Sequence, residues 1–177
     1  MLKIAGGKYR SRMIEVPPVV TVPTKNIVRE ALANALRNKI PDATVLDLFA
    51  GSGALGVEAL SWGAKKAYFV DKSLDATKII RMNLDSLKIE NGTIINSDFK
   101  DALNRINDKI DIVFMDPPYK DVNFYQEGVS LLLNSSILNP DAVIVLEYEN
   151  EILIDETPFQ EVRNYKYGRN KIKILWR

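Results

Sequence analysis

Two hydrophobic rhythms take turns along most of this 177-residue chain. Short runs such as Tyr68-Phe69-Val70 and Ile112-Val113-Phe114-Met115 are apolar nearly throughout, the character of parallel strands buried on both faces. Between such runs apolar residues recur every three or four positions, the spacing of a helix with one buried face. The pattern predicts strands at 44–49, 66–71, 92–97, 110–116 and 142–148, and helices at 53–62, 74–88, 99–106 and 122–133. Strand–helix alternation of this kind implies an α/β fold, a doubly wound and mostly parallel sheet. The C-terminal stretch breaks the rhythm. Phe159 to Tyr167 and Lys171 to Trp176 flank Gly168-Arg169-Asn170 and predict an antiparallel hairpin.

The first forty residues follow a third pattern. Residues 3–16 are strand-like around Gly6-Gly7 and predict a small hairpin. Pro17-Pro18 forces extended backbone, and Thr24 is a candidate N-cap for a helix. Ile27, Val28, Ala31, Leu32, Ala35 and Leu36 give that helix its apolar face, which leaves Lys25, Arg29 and Arg37 on the other side. Pro41-Asp42 ends the segment. The expected organisation is an N-terminal hairpin and helix over residues 1–40, then an α/β domain over 41–177.

Composition narrows the chemistry. The chain has no cysteine and no histidine, which removes thiolate catalysis, Ser-His-Asp triads and ordinary zinc sites. Catalysis is left to carboxylates, tyrosine, lysine, backbone groups or a bound cofactor, and no metal is expected. No apolar run approaches the roughly 20 residues of a membrane span, and Met1 to Gly6 lacks a signal peptide's apolar core, so a cytoplasmic protein without membrane contact is expected. Residues 1–40 carry a net charge of +6 against −5 for the remainder. A basic arm on a mildly acidic domain suits a polyanionic partner, although a solvated surface has the same composition.

Two stretches carry the candidate chemistry. Val45 to Gly56 reads as a strand, a tight turn and a helix start, with Gly51, Gly53 and Gly56 spelling G-x-G-x-x-G, a signal shared by several cofactor classes. Asp47, Asp71, Asp98 and Asp116 fall at or near the carboxyl ends of successive predicted strands, where open α/β sheets bind ligands. Asp71 lies twenty residues after Gly51, a spacing that suits a carboxylate accepting ribose hydroxyls. Asp47 would repel a pyrophosphate and suit a cation, which favours the sulfonium of S-adenosylmethionine over a dinucleotide. Asp98 is then a candidate partner for the adenine amine and Phe99 for the ring face, with Phe49, Ser52 and Lys72 among the flanking cofactor-binding candidates. The second stretch is Asp116-Pro117-Pro118-Tyr119. Its carboxylate and the Pro117 carbonyl are suited to accept the N–H bonds of a nucleobase amine, and Tyr119 to stack on an extruded base. Other readings are a nicotinamide-dependent oxidoreductase, a non-catalytic RNA-binding or assembly protein, and an adenine-N6 methyltransferase acting on RNA or DNA.

With both stretches in view, the chain resembles the class I S-adenosylmethionine-dependent methyltransferases that act on amino groups through D-P-P-Y. More narrowly it resembles the RsmD family, guanine-N2 methyltransferases of the small-subunit (16S) ribosomal RNA. Three segments carry the likeness: Ala5-Gly6-Gly7-Lys8-Tyr9-Arg10; Pro23-Thr24 with Arg29-Glu30-Ala31-Leu32; and Leu46 to Leu60 with Asp116 to Tyr119. Val22 and Ala33 depart from the family's pattern of arginine before Pro-Thr and phenylalanine after Ala-Leu. The resemblance implies a Rossmann-like fold and S-adenosylmethionine as cofactor, bound by Asp47, Gly51, Gly53, Asp71 and Asp98. It further implies a target amine held by Asp116 to Tyr119, and ribosomal RNA or a small-subunit assembly intermediate as partner. Lys8, Arg10, Arg12, Lys25 and Arg29 are the expected RNA contacts, and a monomer is the expected state.

Overall fold

The computed structural model describes residues 1–17, 26–117 and 122–177. Its sheet has seven strands. In chain order these are β3 (Thr44–Asp47), β4 (Lys66–Asp71), β5 (Gly92–Asn96), β6 (Ile110–Met115), β7 (Leu138–Tyr148), β8 (Glu161–Tyr167) and β9 (Asn170–Trp176). Their order across the sheet is β5-β4-β3-β6-β7-β9-β8. The first five run parallel, and β9 and β8 complete the sheet antiparallel, as the terminal hairpin predicts. The order reverses direction at β3, so the crevice between the carboxyl ends of β3 and β6 is the topological switch point.

Helices cover both faces. Helices α1 (Asn26–Ala35), α2 (Ala54–Ser61) and α3 (Leu74–Leu87) contribute Val28, Leu32, Val57, Leu60, Ile80 and Leu84 to one apolar cluster. Helices α4 (Phe99–Leu103) and α5 (Asn123–Asn134) pack Ala102, Leu103, Val129 and Leu132 into the other. Central strand residues such as Val45, Phe69, Ile112, Val113 and Leu146 are fully buried, which accounts for their near-continuous apolar runs.

Several boundaries differ from the sequence expectation. Strand β7 begins at Leu138 rather than 142, because Leu138 pairs with Ile110 before a register shift brings Val143 opposite Ile112. Helix α4 stops at Leu103, where Asn104 closes the turn. The Thr24 cap lies outside the described residues. The face of α1 is also rotated from the expected one: Ile27 is 61% exposed, whereas Arg29 is 1% exposed.

The N-terminal segment forms two short paired strands, β1 (Leu2–Lys3) and β2 (Met13–Ile14), joined through a 3-10 turn at Gly7–Tyr9. Ile4 and Ile14 enter the same cluster as α1, α2 and the sheet, so residues 1–17 and 26–40 share the core of the main domain. The Gly-Gly pair is a docking device as much as a turn. Gly7 has φ +73°, and a Cβ there would come within 1.9 Å of the Ser61 carbonyl oxygen. At Gly6 a Cβ would meet the Trp62 ring at 2.1 Å. The close approach allows Ser61 Oγ to donate to the Gly6 carbonyl at 2.5 Å and to accept from the Tyr9 N–H at 2.9 Å.

Candidate active site

The glycine turn is built from below. Gly53 sits at φ +80°, a left-handed conformation that glycine adopts without strain, and leads into α2. Beneath the turn Asp47 accepts the Gly56 N–H at 3.0 Å and is 1% exposed. From the side, Asp71 accepts the Gly51 N–H and the Ser73 N–H, each at 2.8 Å, and thereby ties the ends of β3 and β4 together. Asp98 caps α4 by accepting the Lys100 N–H at 3.0 Å.

These strand ends border a cleft enclosing about 640 Å³, open solvent at its mouth included. Leu48, Phe49 and Gly51 come from the end of β3 and the turn, Asp71 and Lys72 from β4, and Ser97, Asp98 and Phe99 from the β5–α4 junction. Asp116 closes the side at β6, and Phe124 at the start of α5 completes it. Three carboxylates against one lysine give the cleft a negative field suited to a cationic ligand. Phe49, Phe99 and Phe124 form an aromatic wall, with ring centroids 5.2 to 6.3 Å apart and Phe99 edge-on to Phe124. Such rings present flat apolar surface to a planar heterocycle.

Of the residues expected at the cofactor, Phe49, Gly51, Asp71, Lys72, Asp98 and Phe99 line the cleft. Asp47, Ser52 and Gly53 are buried and are not among its lining residues. One of the Asp47 oxygens holds the first turn of α2 through Gly56. Of the amine-holding residues, Asp116 is half-buried at the cleft and Pro117 is buried, while Pro118 and Tyr119 lie outside the described residues.

Phe124 and the support behind Asp116 went unread in the sequence. Phe124 opens the helix that follows D-P-P-Y, a position that faces the ligand crevice in open α/β sheets; that placement was its available signal. Met115 pairs with Leu146, so Asp116, the first residue after β6, follows directly on the last β6–β7 pair beside Glu147 of β7. Glu147 is 2% exposed, its carboxylate accepts from Asn170 Nδ2 at 2.6 Å, and its carbonyl accepts from Tyr125 Oη at 2.6 Å. Burial, then the charges of Asp116 and Glu147, push the Tyr125 phenol well above its ordinary range, so it remains a hydrogen-bond donor.

Among the expected RNA contacts, Lys8, Arg10 and Arg12 are exposed, and Lys25 lies outside the described residues. Arg29 is a correction. Its Nε donates to Glu58 Oε1 at 3.0 Å, and a terminal nitrogen donates to the Lys3 carbonyl at 2.8 Å and to Asn26 Oδ1 at 2.9 Å. A guanidinium so enclosed ties the N-terminal hairpin to α1 and α2 and is not presented to a phosphate.

Burial pushes the Asp47 carboxyl up to about 7 from 3.8, with the Gly56 N–H pulling it down and the Asp71 charge adding to the rise. The neutral form favours the fold, so this contribution is complete below about 3.8 and is lost as pH rises through about 7. Three pH units at 1.36 kcal/mol each put the loss on the order of 4 kcal/mol. Asp47→Asn retains an acceptor for Gly56 and removes the charge. Its thermal midpoint is expected to exceed the parent's by a margin that grows from pH 5 to pH 8 and then levels. A margin constant across that range would contradict this description of Asp47.

Comparison with known proteins gives the family. The chain is 36% identical over 172 residues to Ribosomal RNA small subunit methyltransferase D of Escherichia coli K12, covering 97% of this chain and 84% of that one. It is also 36% identical over 155 residues to the Haemophilus influenzae protein of that name, covering 85% and 80%. The solved structure of the Escherichia coli protein yhhF superposes with a TM-score of 0.87 at 34% identity, over 99% of this chain and 97% of that one. A family model described as Conserved hypothetical protein 95 matches residues 2–176. With the glycine turn, the acidic strand ends and Asp116-Pro117 arranged around one cleft, the chain belongs to that family, the RsmD family.

Proposed function

We propose that this protein transfers a methyl group from S-adenosylmethionine to the exocyclic N2 amine of a guanine in small-subunit ribosomal RNA. The observation that carries the reading is the sharing of one cleft. Gly51, Asp71, Asp98 and Phe99 line it together with Asp116, which supports a reading in which a cationic nucleoside and a nucleobase amine meet there. The names of its relatives supply the RNA class.

The donor set fits that cofactor. Each Asp71 oxygen accepts one backbone N–H and keeps lone-pair capacity for a ribose hydroxyl. Asp98 keeps acceptor capacity for an adenine amine, and Phe99 lies beside it. S-adenosylmethionine supplies a methyl group already activated on a sulfonium. The protein's part is to align and to stabilise charge. The Asp116 carboxylate accepts an N–H of the target amine, and Pro117, which has no N–H of its own, offers a carbonyl to the other. Those two acceptors draw the nitrogen lone pair out of the ring and offset the positive charge that develops on nitrogen. Alignment of this kind lowers a barrier by about 7–11 kcal/mol. Asp116 need not be a strong base, because the amine becomes far more acidic once methylated. The target base must be unpaired or flipped, at a cost of a few kcal/mol. Tyr119 is the residue proposed to stack on it.

Calorimetry with S-adenosylmethionine and with a reduced nicotinamide dinucleotide separates this reading from an oxidoreductase: binding to the first alone is expected. Tritiated-methyl transfer to small-subunit ribosomal RNA or particles tests the activity, with label expected in guanine. Label in adenine would convert the reading to adenine-N6 methylation, and absence of label with intact cofactor binding would favour a non-catalytic RNA-binding protein.

A further inference from the structure

The carboxyl edge of the sheet carries a cation that the cofactor cleft does not use. The cleft residues on the cofactor side come from the ends of β3, β4 and β5, and Asp116 follows β6. In the order β5-β4-β3-β6-β7-β9-β8, the strands beyond Asp116 are β7, β9 and β8. Strand β9 runs antiparallel to both of its neighbours, so β8 is parallel to β7 and ends on the same edge as β6. The turn between β8 and β9 therefore stands on the edge that bears Asp116. Tyr167 pairs with Asn170, which leaves Gly168 and Arg169 as a two-residue loop. Gly168, at φ +66°, takes the first central position, as glycine does in a type II′ turn, and Arg169 takes the second.

The turn is tied to the site from beneath. Asn170 is buried, and its Nδ2 donates to Glu147 Oε1 at 2.6 Å. Glu147 lies beside Asp116, and its carbonyl accepts from Tyr125 Oη, also at 2.6 Å. Register gives the offset. Glu147 is opposite Ile172, so Asn170 stands two residues farther out along β9. Two strand spacings across and two residues outward put the turn's backbone about 12 Å from that of Asp116. Outward is also the direction in which a nucleotide with its base at Asp116 carries its phosphates, since the charged groups stay in solvent.

Arg169 is exposed and forms no hydrogen bond or ion pair among the described residues. Its basic neighbours are engaged. Lys171 pairs with Glu151 and lies 5.9 Å from the Tyr148 ring centre, and Lys173 pairs with Glu156. The Lys171 hydrogen bond, and then charges that include Lys166, hold the Glu151 carboxyl below its ordinary range. On the other side of the balance, Glu149 is exposed directly after β7 and forms no ion pair with Arg169. A strand of RNA approaching over β7 meets the charges of Glu149 and Asp116, and Arg169 is the group placed to offset them. Its planar fork of donors matches a phosphate.

From this placement we infer that Arg169, at the tip of the C-terminal hairpin, contacts a phosphate flanking the target nucleotide, so that the RNA enters over β7 and the β8–β9 turn. The inference rests on the RNA reading above and adds a contact outside the basic N-terminal segment, together with the side of entry.

The test is a salt titration of affinity, read by fluorescence anisotropy, on an RNA hairpin of about 20 nucleotides with guanosines in its loop. Arg169→Gln is expected to reduce the magnitude of the slope of log affinity against log salt by about 0.7–0.9, the contribution of one phosphate contact. Arg169→Lys keeps the charge and should keep the parent slope. Lys65→Gln removes an exposed cation just before β4, on the opposite edge of the sheet, and should keep it as well. In methyl transfer to small-subunit particles, Arg169→Gln should raise KM for the particle by about three- to fivefold, with kcat and cofactor affinity unmoved. An unchanged slope in Arg169→Gln would overturn the inference, as would an equal loss in Lys65→Gln or Arg169→Lys, or an unchanged KM. Absence of RNA binding by the parent protein would overturn it together with the RNA reading. Absence of methyl transfer while the slopes behave as expected counts against the enzyme reading and leaves the Arg169 contact standing.

Discussion

Asp116→Ala is expected to lower methyl transfer by about 10²–10³-fold, equivalent to about 2.7–4 kcal/mol, the range for removing one preorganised group at a site of developing charge. Affinity for S-adenosylmethionine is expected to stay within a few fold, because Asp71, Asp98 and the Phe49–Phe99–Phe124 wall are untouched. The loss should appear in kcat more than in KM, since the carboxylate acts on charge that is larger in the transition state than in the ground state. Asp116→Asn offers an instructive middle case. It retains an acceptor oxygen in nearly the same place without the negative charge, so its rate should fall between those of the parent and Asp116→Ala. Single-turnover transfer from tritiated cofactor measures all three. Unchanged turnover in Asp116→Ala would sink the mechanism.

The second large effect concerns the fold. Arg29 and Glu58 form a buried ion pair with side chains 1% and 7% exposed, and the guanidinium also holds the Lys3 carbonyl and Asn26. Glu58 Oε1 accepts from the Ala5 N–H as well, while Oε2 is buried without a hydrogen-bond partner among the described residues. Arg29→Met keeps the volume and strands a buried carboxylate, for which about 3–5 kcal/mol of destabilisation is expected. At about 2–4 °C per kcal/mol, the melting midpoint falls on the order of 10 °C. Adding Glu58→Gln should restore part of the loss, because the stranded charge is then gone. If Arg29→Met melted like the parent and bound RNA more weakly, Arg29 would be the phosphate contact that the sequence pattern suggested.

Those two residues show what could be read in advance and what could not. The parallel strands announced themselves because burial on both faces leaves no polar positions within them. The aspartates at their ends were visible because a carboxylate directly after such a run has few structural reasons to recur. Arg29 was misread because helical periodicity separates apolar from polar residues but cannot tell a solvated cation from one paired inside. Its partner lies 29 residues away, on another helix. Asp47 was read as a ligand group for a similar reason. It does sit beneath the turn, and only the packing of α2 shows that one of its oxygens holds the Gly56 N–H and that solvent is excluded. Phe124 and Glu147 belong to a third class. They reach the site through the register of β6 against β7 and the start of α5, both of which are relations between distant segments. The basic hairpin was legible as charge, while its docking depended on Gly6 and Gly7 fitting against α2.

The central claim is that this cleft modifies the N2 amine of a guanine in small-subunit ribosomal RNA. Mass mapping of that RNA from cells with and without the protein tests it most directly. One guanosine is expected to carry a single methyl group on N2 when the protein is present and to lose it when the protein is absent. The methyl should return with the parent sequence and stay missing with Asp116→Ala. Identical methylation maps in both cells, or a lost methyl on adenine, would contradict the account.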